Sequence, residues 1–244
     1  MTSPAIAVRD LTKSFGPHRV LDGLSLEVPT GSVCALLGAN GAGKTTTISI
    51  LTTLLRADSG TAMVAGHDVT TEPAAVRHAI SVTGQNVTVD PILTGLENLV
   101  LIARLRHVPD PKRLAADLID RFGLTDAATK PTATYSGGMK RRLDVAMSLI
   151  GDPRVIFLDE PTTGLDPVGR REVWDTIAAL AATGTTILLT TQYMEEAVRL
   201  ADIIAILAGG RITASGSHED VLRAAGESDL EAAFITLTTP GDPV

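Results

Sequence analysis

The stretch Gly38-Ala39-Asn40-Gly41-Ala42-Gly43-Lys44-Thr45-Thr46 constrains this chain more than any other. It fits G-x-x-x-x-G-K-[ST], a phosphate-binding pattern that carries meaning only between a strand and a helix. The apolar run Val33-Cys34-Ala35-Leu36-Leu37 supplies the strand, and Lys44 to Leu55 reads as the helix. The glycines let the backbone curl so that successive N–H groups face an anion. The helix N-terminus adds a partial positive charge, and Lys44 adds a whole one. Thr45 offers a hydroxyl to a phosphate-bound Mg²⁺, while Thr46 supports the loop. A glycine turn that merely starts a helix would use the same residues; the strand in front of it weighs against that reading. The pattern predicts nucleotide binding.

Length and charge narrow the rest. The 244 residues suffice for one large domain with a substantial core. Hydrophobic residues make up 44% and charged ones 20%, the balance of a globular chain. A net charge of −7 argues against a general electrostatic grip on nucleic acid, so no nucleic-acid partner is expected. The single cysteine, Cys34, sits in an apolar strand and reads as a small core residue. No signal peptide is evident, and no apolar run reaches 18 residues, so nothing is expected to span a bilayer. The five histidines, His18, His67, His78, His107 and His218, show no metal-ligand spacing and read as surface or core fillers.

Taken in order, Ile6 to Leu11 and Leu24 to Val28 alternate like antiparallel strands beside the nucleotide core. Phe15, next to Gly16, is a loop aromatic able to stack on a purine ring. Strands follow at Thr61–Ala65 and Ile80–Thr83. From Pro91 to Ile150 the character turns helical. Thr94 caps one helix running to Arg106, and Pro111 opens a second ending near Phe122. This is a helical insertion, about 86–150, between strands of an α/β core. Val155 to Glu160 then reads as a wholly buried parallel strand. A helix over about Val168–Ala182, strands at Thr186–Thr190, Ile203–Leu207 and Arg211–Ala214, and a short helix at Glu219–Ala224 complete one domain over 1–230. Residues 231–244, with Pro240 and Pro243, are expected to form a loose tail.

Asp159 and Glu160 end their strand where open α/β sheets place ligands. An acid there holds Mg²⁺ directly or through water, the role given to Asp159. Glu160 orients and polarises a water for attack on a γ-phosphate. Tyr135-Ser136-Gly137-Gly138-Met139 precedes a helix over Lys140–Ile150. Ser136 is a natural N-cap, and Gly137-Gly138 lets an anion come close to the helix end. Alone it is a capped helix. Beside a chain that already holds a nucleotide at Lys44, it becomes a second anion surface.

From about Ile6 to Gly216 the chain resembles the ATP-binding subunit of an ABC transporter. Gly38–Thr45 is similar to the Walker A loop, Val155–Glu160 to the Walker B strand and Tyr135–Met139 to the family signature. Gln85 falls at the Q-loop glutamine, Gly164-Leu165-Asp166-Pro167 at the D-loop, and Phe15 at the adenine-stacking aromatic. Leu93–Asn98 and Leu189–Glu196 resemble the daunorubicin-resistance type of exporter within the family. The resemblance implies a P-loop NTPase core with an antiparallel β subdomain and an inserted α-helical subdomain, and it implies ATP and Mg²⁺ as ligands. It also implies a head-to-tail dimer in which each ATP lies between Lys44 of one copy and Ser136 with Gly138 of the other. Gln85 would sense Mg²⁺ and the attacking water, and its loop would grip a separate permease subunit, holding the chain at the inner face of the membrane.

The chain departs from the family twice. The signature usually reads Leu-Ser-Gly-Gly-Gln, and here Tyr135 and Met139 stand at its ends. At Gln192 most relatives carry a histidine that contacts the γ-phosphate; a glutamine amide can donate there but takes up no proton. The implied activity is ATP hydrolysis driving export of a hydrophobic drug-like or lipid substrate. The rival is a soluble ABC ATPase of DNA repair or translation. Such relatives usually carry two cassettes or a long coiled-coil insertion, and this acidic chain has neither. A kinase or GTPase on the same loop is disfavoured by the Ser136 turn and by the lack of an Asn-Lys-x-Asp motif.

Overall fold

The computed structural model describes residues 3–84 and 88–239. β1 (Ile6–Phe15) and β2 (His18–Val28) form an antiparallel hairpin whose Ile6, Val8, Leu24 and Leu26 face inward. β3 (Val33–Leu37) runs into the phosphate loop, and α1 (Lys44–Leu51) leaves it. The helix is shorter than its sequence pattern, because Thr53 turns to φ 65° just beyond it. β4 (Ser59–Val64) and β5 (His67–Asp68) extend the hairpin into a sheet of order β2-β1-β4-β5. α2 (Pro73–Ala79), which the sequence reading passed over, leads into β6 (Ile80–Thr83).

α3 (Gly95–Leu105), α4 (Pro111–Arg121) and α5 (Gly137–Ser148) lie between β6 and the next strand. Each starts on a side-chain cap. Thr94 and Glu97 satisfy one another's backbone N–H groups, Asp110 accepts from Arg113 N, and Ser136 accepts from Met139 N. β7 (Val155–Asp159), α6 (Pro167–Ala181), β8 (Thr186–Thr191), α7 (Met194–Leu200), β9 (Ile203–Ala208), β10 (Arg211–Gly216) and α8 (His218–Ala225) follow. The second sheet has the order β10-β9-β3-β8-β7-β6, parallel except for β10.

Its central strands are buried on both faces, yet the two-residue period still sorts their side chains. Val33, Ala35 and Leu37 join Ile156, Leu158, Ile187, Leu189 and the helices α3 to α6 in one core. Cys34 and Leu36 join Phe157, Leu188, α1 and the antiparallel sheet in the other. Burial pushes the Cys34 thiol up to about 12, so it stays a neutral packing group. Asp22 N donates to Gly210 O at 2.9 Å and stitches the two sheets at one edge.

The expected loose tail is corrected over most of its length. α9 (Leu230–Thr238) is a helix capped by Asp229, with Leu230 and Ala233 buried against the core. Residues 240–244 lie outside the described part. α7 is anchored by Glu196, fully buried, whose Oε1 accepts from Thr162 Oγ1 at 2.8 Å and from Trp174 Nε1 at 2.9 Å.

Burial raises the Glu196 carboxyl above the ordinary value of 4.5, against the hydrogen bonds that favour ionisation. A raised folded-state value stabilises fully below 4.5, and that contribution fades as pH climbs through the folded value. Glu196→Gln does not titrate, so its melting temperature relative to the parent should rise with pH. Thermal melts from pH 4.5 to 8 read this directly; a pH-independent difference would contradict it.

Candidate functional site

β3 delivers the chain at Gly38 and α1 takes it up at Lys44, so the loop between them is short and tightly held. A Cβ on Gly38 would fall 2.8 Å from Leu207 O. Gly43, at φ 109°, caps α1 without a side-chain acceptor, so the helix start has no side chain of its own occupying it. Lys44 is 4% exposed. Its Nζ donates to Gly38 O at 2.8 Å and Ala39 O at 3.1 Å, and meets Glu160 Oε1 at 3.3 Å.

The acidic strand end closes the other side. Thr45 Oγ1 donates to Asp159 Oδ2 at 3.0 Å, and Thr190 Oγ1 donates to Asp159 Oδ1 at 2.6 Å. Glu160 has φ 48°, a left-handed conformation that costs a non-glycine residue about 1–3 kcal/mol. It is held there by hydrogen bonds from its N–H to Thr190 Oγ1 at 3.0 Å and Thr190 O at 3.2 Å. Thr163 Oγ1 donates to its Oε2 at 3.1 Å. Asp159 and Glu160 therefore diverge: one faces Thr45, the other Lys44.

The donors at this strand end suit a hard cation. A hydroxyl and a carboxylate oxygen lie within 3.0 Å of each other, and no set of three or more His, Cys, Asp or Glu residues forms a cage among the described residues. Mg²⁺ takes one or two protein oxygens and completes its shell from phosphate and water, so Thr45 and Asp159 fit it.

A cavity of about 560 Å³ opens here, lined by Asn40, Gly41, Gly43, Lys44, Thr45, Thr46 and Glu160, with His18 and Val20 from the hairpin. Phe15 is half exposed at the tip of the same hairpin, opposite His18, with Lys13 Nζ 5.7 Å from its ring centroid. Gln192 follows Thr191, whose carbonyl accepts from Gly38 N at 3.2 Å, so it sits half-buried beside the start of the loop. Gln85 lies outside the described residues.

A second cavity of about 360 Å³ is lined by Ser136, Gly137, Gly138, Leu165, Asp166 and Glu172, among others, and shares no lining residue with the first. Ser136 and Asp166 both cap helices that start there, Asp166 Oδ1 accepting from Gly169 N at 2.7 Å. A Cβ on Gly138 would come within 3.1 Å of Gly169 Cα, so α5 and α6 meet closely. Tyr135 is buried, and its hydroxyl donates to Ala127 O at 2.7 Å, fastening this turn to the helical insertion.

Three contributors escaped the sequence reading. His18, treated as a filler, lines the first cavity because the hairpin folds over the loop. Thr190 braces both acids. Arg141 is buried under β7, where its Nε donates to Pro161 O at 2.8 Å. Thr190-Thr191 ending a buried strand was the only trace of the second; the first and third needed the fold.

Residues 21–163 match the family model described as ABC transporter. The chain is 53% identical over 228 residues to the daunorubicin/doxorubicin resistance ATP-binding protein DrrA of Streptomyces peucetius, covering 93% of this chain and 69% of that protein. It is 46% identical over 231 residues to the doxorubicin resistance ATP-binding protein DrrA of Mycobacterium tuberculosis, covering 93% of this chain and 70% of the other. Among solved structures, the ATP binding subunit of an ABC transporter superposes with a TM-score of 0.84 at 28% identity, covering 96% of this chain and 100% of the other.

The glycine requirement is separable by position. Gly43→Ala meets both the strained φ and a collision with Leu21 Cδ2 at 2.7 Å, whereas at Gly41, φ 81°, an added Cβ meets nothing within 4 Å. Gly41→Ala should cost about 1–3 kcal/mol from strain alone, and Gly43→Ala more. Urea unfolding of the two variants checks the order; equal losses would mean that the Leu21 contact does not matter.

Proposed function

Because the chain belongs to the ABC transporter family as an ATP-binding, ATP-hydrolysing subunit, we propose that two copies close head to tail around two ATP molecules and drive export through a separate membrane subunit. The observation that carries this reading is the separation of the two cavities. One presents the phosphate loop, the other an anion surface at Ser136 to Gly138, and no residue lines both. Two copies related by a two-fold axis bring each loop against the other copy's turn.

In that arrangement the triphosphate enters the loop as substrate, and the Lys44 ammonium turns from Glu160 to the phosphate oxygens. Glu160 is thereby freed to accept a proton from the water it orients. Thr45 and Asp159, with Gln85, would hold Mg²⁺, which would supply positive charge against the phosphates. Phe15 stacks on the base, and Gln192 donates a neutral hydrogen bond toward the γ-phosphate. Ser136 and Gly138 of the other copy complete the γ-phosphate's contacts, with Asp166 at the seam. Loss of the γ-phosphate removes the bridge and opens the pair.

No helix among the described residues is long and apolar enough to cross a membrane. A groove of about 380 Å³ at the β6 edge, lined by Leu54, Val82, Arg77 and Arg106, supports a docking place for the membrane subunit, and Leu101 and Leu105 of α3 are exposed nearby. The drug-resistance relatives favour a hydrophobic, drug-like or lipid cargo and a place on the inner membrane face.

Complementation tests the shared site. Lys44→Ala and Gly138→Asp should each abolish ATPase activity alone, and an equimolar mixture should recover about a quarter of it, since half the pairs then hold one intact composite site. A mixture that stays inactive, or full activity from either variant alone, overturns the reading. Gln192→His should preserve or raise turnover and make it sensitive to pH between about 6 and 7. Loss of folding or of nucleotide binding in that variant would refute the idea that Gln192 keeps the positioning role usually filled by histidine.

A further inference from the structure

α5 carries a buried ion pair, Arg141 and Asp144, at 3% and 2% exposure, with Nη1 to Oδ2 at 3.1 Å. Burial pulls Arg141 below its usual range and pushes Asp144 above its own. A buried pair seldom stabilises more than apolar side chains of the same volume, so stability is a poor explanation for it. The hydrogen bonds give a better one. Arg141 Nε donates to Pro161 O at 2.8 Å, Nη2 to Asp159 O at 3.2 Å and Nη1 to Gly84 O at 2.8 Å. Asp144 accepts from Thr88 Oγ1 at 2.7 Å and from Thr88 N at 3.4 Å.

Asp159 and Pro161 are the residues on either side of Glu160, whose backbone sits at φ 48°. A conformation of that kind persists only where its surroundings over-determine it. Thr190 holds the Glu160 N–H from β8, and the planar guanidinium grips the carbonyls before and after Glu160 from α5. We propose that Arg141 is a positioning residue for Glu160. Its rigid fork sets the left-handed turn that aims the carboxylate at the phosphate loop, and Asp144 fixes the fork while tying it to Thr88, in the segment between β6 and α3. Lysine keeps the charge beside Asp144 but replaces the planar fork with a point donor on a flexible stem. This inference rests on the reading of Glu160 as the group that orients water.

The test uses the full chain and follows ATP affinity by fluorescent-nucleotide titration, kcat and KM for ATP, and the melting temperature. Arg141→Lys should lower kcat about tenfold or more, the scale expected when a reacting group is misplaced by a fraction of an ångström to an ångström. ATP affinity and KM should stay within about twofold, because the phosphate loop is untouched. The double variant Arg141→Met with Asp144→Leu keeps the volume and leaves no lone buried charge, so it remains informative if the single variant unfolds. It should melt no lower than the parent and still show the kcat loss. Parent-like kcat in the folded double variant overturns the proposal and leaves the pair a packing feature. Glu160→Gln is the control: if it too turns over normally, the reading of Glu160 fails, whereas an inactive Glu160→Gln beside an active double variant sinks the Arg141 inference alone.

Discussion

A lysine ammonium held at 4% exposure is the constraint around which this molecule is arranged. Left alone in such a place it would be penalised heavily, so partners are brought to it. Two are carbonyls of its own loop, Gly38 and Ala39, and the third is the Glu160 carboxylate, delivered by a different strand. That pairing is adequate and replaceable. Carbonyls are neutral acceptors, and a single carboxylate at 3.3 Å carries less charge than a phosphate chain. Lys44 is therefore buried well enough to be fixed, and paired weakly enough that a more anionic ligand can take it.

The parallel sheet makes the meeting possible. With β3 flanked by β8 and β9, and β7 next to β8, the carboxyl ends carrying Gly38, Thr190-Thr191 and Asp159-Glu160 lie side by side. Thr190 stands between the two neighbours and bonds to both acids: its hydroxyl donates to Asp159 and accepts from the Glu160 N–H. One hydroxyl thus separates the roles of adjacent carboxylates, turning Asp159 toward Thr45 and leaving Glu160 to Lys44. Thr163 shares Glu160 from the far side, so the carboxylate has a second partner besides the ammonium.

Strands buried on both faces were plain in the sequence, since runs such as Val33–Leu37 and Val155–Leu158 admit little else, and capped helices announced themselves at Thr94, Pro111 and Ser136. The phosphate loop and the acid pair were legible for the same reason: their chemistry is local. What escaped depends on distant contacts. α9 looked like tail because Pro240 and Pro243 follow it, and only burial of Leu230 and Ala233 on the core explains why it folds. α2 and α7 are each seven residues long, too short to show a period. Within Lys140-Arg141-Arg142 nothing distinguishes the middle residue until the helix phase sends it beneath β7.

The substituted signature makes sense in the same terms. Tyr135 stands where leucine is usual, and its hydroxyl finds Ala127 O inside the insertion, so a polar tip is buried without loss. The fit leaves no room beside Gly95, where a Cβ would fall on the Tyr135 hydroxyl. Arg142 adds a second fastening, donating to Phe122 O at 3.1 Å and Gly123 O at 3.3 Å while pairing with Glu172 of α6 at 3.3 Å. The turn at Ser136 to Gly138 is thus bolted to the insertion on one side and to α6 on the other, and α5 can shift only with both. Arg141, the preceding residue and about 100° round that helix, ties it to the strand end bearing Glu160. The outer helices are thereby joined through α5, by an unbroken chain of hydrogen bonds, to the backbone turn at Glu160.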